Sequence, residues 1–385
     1  MKNISIIGST GSIGTQALDV VREGDFAVCA LAAGRNAALL EQQARAVRPQ
    51  YAVLADEKEA KKLKTALADT SVRVMGGEDA VCAAAALEQA DLILNAAVGI
   101  AGLRPTLAAI ETGKTLALAN KESLVCGGEL VMARAKARET EILPVDSEHS
   151  AIFQALRCGQ QREVSRLILT ASGGPFFGKT QDEMKYVTPE QALRHPSWSM
   201  GAKITIDSST MMNKGFEVIE ARWLFDIPEN RIDVVVHRES IVHSMVEFCD
   251  GTVAAICSPP DMRLPIQLAM TWPERRGPMR KQIDFTVPMN WSFSPPDRES
   301  FPALALCGDV LRRGGNLGAV LNGANEEAVA LFLQQRIGYC DIVRLTAAAV
   351  EAANYQQDPD LNDIFESDCW ARGFVRAAAQ CGEGG

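Results

Sequence analysis

The chain has 385 residues, 47% hydrophobic and 23% charged, with 48 Asp and Glu against 39 Lys and Arg for a net charge of −9. That length exceeds one ordinary core and predicts two or three domains, while the composition excludes a mainly disordered polypeptide. The acidic balance argues against nucleic-acid binding, which needs a basic face, but leaves small anionic substrates open.

No run reaches the ~18 apolar residues of a membrane span. The ten cysteines are scattered, with no CxxC pair and no zinc-type spacing. They read as thiols of a reducing compartment, and since a strand begins almost at once, the expected location is cytoplasmic.

The first strand, Ile4 to Ile7, runs into Gly8-Ser9-Thr10-Gly11-Ser12-Ile13-Gly14 and a helix with Ala17, Val20 and Val21 on its apolar face. Glycines here allow a tight turn and close approach to a pyrophosphate, and the free N–H groups of a helix start attract anions. A strand from Phe26 to Ala33 ends in Gly34-Arg35-Asn36. An acidic residue at this place would select NAD; Arg35 can pair with a 2′-phosphate and favours NADP.

Alternation then continues. Helices are expected near 37–48, 58–67, 79–87 and 103–111, and strands at 51–54, 72–75, 92–95 and 115–118. This rhythm predicts a doubly wound parallel sheet, with Asn120, Lys121 and Glu122 beyond its carboxyl ends facing the cofactor. A plain helix cap at Asn120 is the alternative.

A strand from Glu141 to Val145 leads to Asp146 and Glu148, which in extended geometry would share one face. Two carboxylates can start an oxygen-rich site for a hard cation, though an acidic strand end is also an ordinary solvated turn. After a helix near 151–156 and a strand at 164–171 come a loop with Ser172 and two phenylalanines, then a second loop with His195 and Trp198. Such loops wrap anions or close as lids.

Asp207 or Ser208 is expected to cap a helix towards Phe225, along which Asn213 and Lys214 share a face with Glu217. A surface Lys–Glu pair is the bland reading; the other makes Glu217 a third cation ligand. Strands at 234–236, 241–247 and 253–256 are expected to be antiparallel, and His237 and His243 have no assigned partner. An extended linker is expected from 271 to 297, and then helices at 303–311, 324–335, 340–353 and 360–379.

GSTGSIG at 8–14, LANKESLV at 118–125, LPVDSEH at 143–149, SGGPF at 172–176, HPSWSMG at 195–201 and DSSTMMNKGFE at 207–217 occur in order, followed by PDMR at 260–263 and NGANEEAVA at 322–330. Together they resemble the 1-deoxy-D-xylulose 5-phosphate reductoisomerase family over essentially the whole chain.

The resemblance implies an α/β chain in three parts. These are an N-terminal Rossmann-like NADPH domain (1–137), a central α+β catalytic, metal-binding and dimerisation domain (138–270) with a lid near 172–202, and, beyond the linker, an all-α bundle (298–385). It implies NADPH contacts at Thr10, Gly11, Ser12, Ile13, Gly34, Arg35, Asn36, Asn120, Glu122 and Gly201. Asp146, Glu148 and Glu217 would bind Mg²⁺, Mn²⁺ or Co²⁺. Substrate would be held by Lys121, Ser147, Glu148, Ser172, His195, Trp198, Ser208, Asn213, Lys214 and Glu217, with Lys121, Asp146, Glu148 and Glu217 catalytic. A cytoplasmic homodimer in the non-mevalonate isoprenoid pathway is the implied setting. Arg35 stands where some members carry Lys, and Ser209 where some carry Ala. A metal-independent NADP dehydrogenase and a non-catalytic NADPH sensor are the rival readings.

Overall fold

The structure is a computed structural model that describes residues 1–198, 200–279 and 282–381. It divides into two compact units: 1–123, 129–150 and 261–281 form one, and 124–128, 151–260 and 282–385 form the other.

The first unit holds strands β1 (Lys2–Ile7), β2 (Phe26–Ala33), β3 (Tyr51–Leu54), β4 (Arg73–Gly76), β5 (Leu92–Asn95), β6 (Thr115–Leu118) and β7 (Ile142–Pro144). They make one parallel sheet in the order β4-β3-β2-β1-β5-β6-β7. Between the strands run α1 (Ser12–Glu23), α2 (Ala37–Val47), α3 (Glu57–Ala66), α4 (Glu78–Ala85), α5 (Leu103–Ile110) and α6 (Glu122–Ala137), and α7 (Ser147–Ala155) follows β7. Helices on both faces require strands apolar on both faces. Ile4, Ile6, Ile7, Leu31, Leu92 and Leu94 are accordingly all buried. The order reverses between β1 and β5, which opens a crevice at the carboxyl ends of those strands.

The second unit contains β8 (Val164–Ala171), the short helices α8 (Gln181–Met184) and α9 (Pro189–Ala192), then α10 (Ala202–Ser209) and α11 (Met212–Phe225). Strands β9 (Ile232–Val236), β10 (Val242–Phe248) and β11 (Val253–Cys257) complete a sheet ordered β11-β10-β8-β9. β10 is antiparallel to β8 and β11, and β9 runs opposite to β10 as expected but is hydrogen-bonded to β8, with which it is parallel. The long stretch from Ala171 to Ile232, carrying four helices, supplies the crossover that parallel pairing needs.

The helix expected to begin at Asp207 or Ser208 is two helices instead. Asp207 lies inside α10 with its carboxylate claimed by Lys203 Nζ (3.0 Å) and Asn325 Nδ2 (2.8 Å), so it caps nothing. The chain breaks at Met211, whose φ is 64°, before α11 starts.

Helix α12 (Arg263–Thr271) packs on α1 in the first unit, where Arg263 Nε reaches Asp19 at 3.0 Å. Helices α13 (Ala303–Arg313), α14 (Leu317–Leu333), α15 (Tyr339–Ala352) and α16 (Leu361–Cys381) close the second unit, sharing one core with Leu167, Ile206 and Phe216. α14 starts earlier than the expected 324, and Gly318 and Gly323 within it are contact points. A Cβ on Gly323 would meet Asp368 O of α16 at 2.4 Å.

Candidate active site

The β1–α1 turn is shaped by its backbone. Gly8 and Ser9 donate their N–H groups to Ala32 O (2.8 and 2.9 Å), and Gly11 N donates back to Gly8 O (3.0 Å). A Cβ at Gly14 would lie 2.3 Å from Gly8 O, so only glycine lets α1 start this close to the turn. No side chain caps α1, which leaves the N–H groups of its first turn available to an anion.

Thr10, Gly11 and Ile13 are half-buried around that start, and Ser12 is exposed. Gln43, which the sequence gave no reason to single out, donates from Nε2 to Ser9 O (2.8 Å). Its Oε1 and Ser9 Oγ are buried with no hydrogen-bond partner among the described residues. At the end of β2, Asn36 Oδ1 caps α2 by accepting from Leu39 N (3.1 Å). Gly34 and Arg35 are exposed, and Arg35 makes no ion pair with a described residue. Bare helix amides, orphan polar atoms and an uncommitted guanidinium fit a phosphorylated dinucleotide.

At the end of β6, Asn120 is buried and fully engaged. Its Nδ2 donates to Ala97 O (3.0 Å), Gly99 O (3.0 Å) and Glu122 Oε2 (2.8 Å), while Oδ1 accepts from Ser123 N (3.0 Å). The cap reading is therefore realised, and Asn120 shapes the 97–99 loop rather than offering a free amide. Asn95, Thr106 and Ser123 extend the same network: Asn95 Nδ2 donates to Thr106 Oγ1 (2.7 Å), which lies 2.9 Å from Ser123 Oγ. Lys121 points elsewhere, its Nζ donating to Asp146 Oδ2 at 2.5 Å with both side chains largely buried.

Asp146 and Glu148 do not share a strand face. β7 ends at Pro144, and Asp146 caps α7, its Oδ1 accepting from Glu148 N (2.9 Å) and His149 N (3.2 Å). Glu148 belongs to the first turn of α7, and Ser147 Oγ hydrogen-bonds to its carboxylate. A strand-to-helix junction, not pleat alternation, sets the relation between the two acids. Buried His149 stands behind them, Nδ1 3.5 Å from Asp146 Oδ1.

In the second unit, Ser172 Oγ lies 3.0 Å from His195 Nε2. His195 Nδ1 accepts from Ser197 N (3.2 Å) and Trp198 N (2.9 Å), so the proton sits on Nε2 and is donated to Ser172. Burial, with Arg238 nearby, pushes the His195 pKa down to about 4. Arg238, also unforeseen, donates from Nη1 to Ser172 O (3.0 Å) and Gly174 O (2.6 Å) and lies over the Phe177 ring. Nothing in its local sequence marks it, because its partners lie more than 60 residues away.

Trp198 is half-buried near His243 (6.0 Å between rings), and Ser199 in the same motif lies outside the described residues. Gly201 precedes α10 as its exposed cap. Half-buried Ser208 sits in the last turn of α10.

On α11, Asn213 Nδ2 donates to Glu217 Oε1 (2.6 Å) and Lys214 Nζ to Glu217 Oε2. Lys214 is 4% and Glu217 1% exposed, which rules out a surface pair. His237 and His243 are structural. His237 Nδ1 meets Ser292 O (2.9 Å) while Nε2 accepts from Ile241 N (3.2 Å), and His243 Nε2 meets Ser258 O (3.0 Å).

The structure thus joins Lys121 with Asp146 and Glu148 with Ser147 in the first unit. In the second it joins Ser172 with His195, and Asn213 and Lys214 with Glu217. The carboxylate donors offer oxygen only, with no thiolate among their partners, which suits a hard divalent cation.

Family models described as 1-deoxy-D-xylulose 5-phosphate reductoisomerase match residues 4–128, its C-terminal domain 142–225, and the DXP reductoisomerase C-terminal domain 257–374. The protein of that name from Heliobacterium modesticaldum is 52% identical over 388 residues, covering 100% of this chain and 98% of the relative. The one from Agathobacter rectalis is 49% identical over 376 residues, covering 97% and 99%. Among solved structures, the Zymomonas mobilis enzyme in complex with NADPH has a TM-score of 0.92 at 43% identity, covering 98% and 99%. DOX-P reductoisomerase in complex with NADPH, fosmidomycin and magnesium has a TM-score of 0.96 at 36% identity, covering 100% of both chains.

The His195 geometry gives a pH prediction. Its folded pKa is depressed from 6.5 to about 4, so the neutral ring's contribution to stability is present above pH 6.5 and is lost as pH falls towards 4. Nitrogen NMR at pH 6 should show Nδ1 bare and Nε2 protonated, with a midpoint near 4. A midpoint near 6.5 would mean that the ring is not held in its buried place beside Arg238.

Proposed function

Since this chain belongs to the 1-deoxy-D-xylulose 5-phosphate reductoisomerase family, we propose that it converts 1-deoxy-D-xylulose 5-phosphate to 2-C-methyl-D-erythritol 4-phosphate in the non-mevalonate isoprenoid route. The reaction is a retro-aldol and aldol rearrangement followed by reduction, with NADPH and a divalent cation. The observation that carries the reading is the Lys121–Asp146 pair at the carboxyl ends of β6 and β7, on the same edge of the sheet as the crevice between β1 and β5.

Thr10 to Ile13 and the bare start of α1 would take the pyrophosphate, with Gly34, Arg35 and Asn36 at the adenosine end and Glu122 and Gly201 along the cofactor. NADPH supplies the hydride. As the family resemblance implies, Asp146, Glu148 and Glu217 would be the cation ligands, and Mg²⁺, Mn²⁺ or Co²⁺ held by them would polarise the substrate carbonyl.

The remaining chemistry belongs to side chains. Lys121 Nζ can give a proton to a developing alkoxide, with Asp146 keeping it charged until then. Ser147 orients Glu148. Ser172, Ser208, Asn213 and Lys214 offer hydroxyl, amide and ammonium donors to the substrate and its phosphate, and neutral His195 fixes Ser172 Oγ. Trp198 closes over the bound sugar and excludes water.

The deciding experiment is NADPH oxidation with deoxyxylulose phosphate, before and after EDTA and again with Mg²⁺ or Mn²⁺ added back. Turnover should vanish with chelation and return with metal, and Glu217→Gln should lower it more than ~100-fold while NADPH binding persists. Chelator-resistant turnover would favour a metal-independent dehydrogenase, and cofactor binding without turnover a sensor.

Arg35→Glu should weaken NADPH by roughly tenfold or more and NADH far less. Equal losses would remove Arg35 from the 2′-phosphate.

A homodimer is also proposed, formed through the central part of the chain. β11 is a sheet edge, and Phe285, Val287, Met289, Trp291 and Phe293 recur at every second position with exposed side chains. Light scattering should give twice the 41.5 kDa chain mass; a monomer at micromolar concentration would overturn the dimer. None of the described cysteines is in a disulfide, which suits the proposed cytoplasmic setting.

A further inference from the structure

Two buried side chains of the C-terminal bundle hold the residues on either side of Ser208. On one side, Asn325 of α14 donates from Nδ2 to Asp207 Oδ1 at 2.8 Å, and Lys203 holds the other carboxylate oxygen at 3.0 Å. On the other, Tyr339 at the start of α15 donates its hydroxyl to Ser209 O at 2.6 Å. All four of Asp207, Ser209, Asn325 and Tyr339 are buried. Ser209 O is among the last carbonyls of α10, which end a helix without backbone partners. Since Met211 turns left-handed two residues on, the tyrosine does what a continuing helix would have done.

Tyr339 reaches the other phosphate-side loop as well. Its ring meets Phe176 edge-on, centroids 5.1 Å apart, and Phe176 belongs to the turn that carries Ser172. That turn rests on the end of α10. Gly174 has φ of 63°, and a Cβ there would lie 2.9 Å from Ser208 O. Phe332 of α14 also meets the tyrosine ring edge-on, centroids 5.8 Å apart. One side chain therefore fixes the spacing between the Ser172 turn and the Ser208 end of α10.

We infer that Tyr339 and Asn325 are positioning residues for the substrate's phosphate end, through which the helical bundle sets the affinity of the Ser172 and Ser208 hydroxyls for that group. The inference rests on the reading of those serines as substrate donors. Neither residue touches substrate. Each holds backbone or carboxylate beside a residue that does, so its loss should loosen binding without altering the bond-making steps.

The test compares the full-length wild type with Tyr339→Phe, which keeps the ring and removes one hydroxyl, and with Asn325→Ala. Tyr355→Phe is the control, since its hydroxyl also caps a bundle carbonyl, Arg313 O at 2.9 Å, but at an exposed position. KM for deoxyxylulose phosphate should rise about five- to tenfold in each test variant, with kcat within about twofold, as expected for the loss of one buried hydrogen bond. Inorganic phosphate binding, measured by calorimetry with NADPH and Mg²⁺ present, should weaken in parallel while NADPH affinity holds. Unchanged phosphate binding in Tyr339→Phe, a fall in kcat alone, or an equal effect of Tyr355→Phe would overturn the inference. A wild type that binds phosphate but does not turn over the sugar phosphate would overturn the underlying function and leave the positioning role to be judged by calorimetry alone.

Discussion

A carboxylate taken out of water is unstable unless a counter-charge or several donors come with it. Both units of this molecule are organised by that demand. In the first, Asp146 keeps its charge by accepting two backbone N–H groups and the Lys121 ammonium. In the second, Glu217 takes one amide and one ammonium. Asp207 and Asp368 repeat the arrangement with Lys203 and Asn325, and with Arg372 and Asn322. Each of these acids thus finds its counter-charge or donors within the protein.

Local pattern determined much of this. The bounds read from sequence for β2, β3, β5, β6 and β8 coincide with the strands found, because each is an apolar run closed by turn-forming residues. The parallel sheet followed from the alternation of strand and helix. What escaped the pattern were features whose cause lies far along the chain. The left-handed Met211 has no mark in its local sequence; the pairing of β9 with β8 depends on the crossover before it; the early start of α14 depends on a neighbour that tolerates only glycine. Arg238, Gln43 and Tyr339 carry no local signature, since each acts on a backbone carbonyl more than 30 residues distant.

The same distinction applies to the Asp146–Glu148 pair. The shared strand face expected for it gives way to a helix cap. A helix cap imposes a defined position on the capping carboxylate, because the amides it satisfies are fixed by the helix itself. One oxygen of Asp146 is occupied structurally in this way and the other accepts from the Lys121 ammonium.

The membership of α12 in the first unit bears on how the protein is made. Residues 261–281 complete a fold whose strands all lie before residue 150. During vectorial synthesis the nucleotide-type sheet therefore emerges whole while the helix that covers α1 is still more than 100 residues from being made. Its apolar residues, Ile266, Leu268, Ala269 and Met270, are buried in the finished chain, so until they arrive the surface they cover stays open to water and to other nascent chains. Order of synthesis and order of folding diverge here, and the ribosome must release the middle of the protein before its beginning can close.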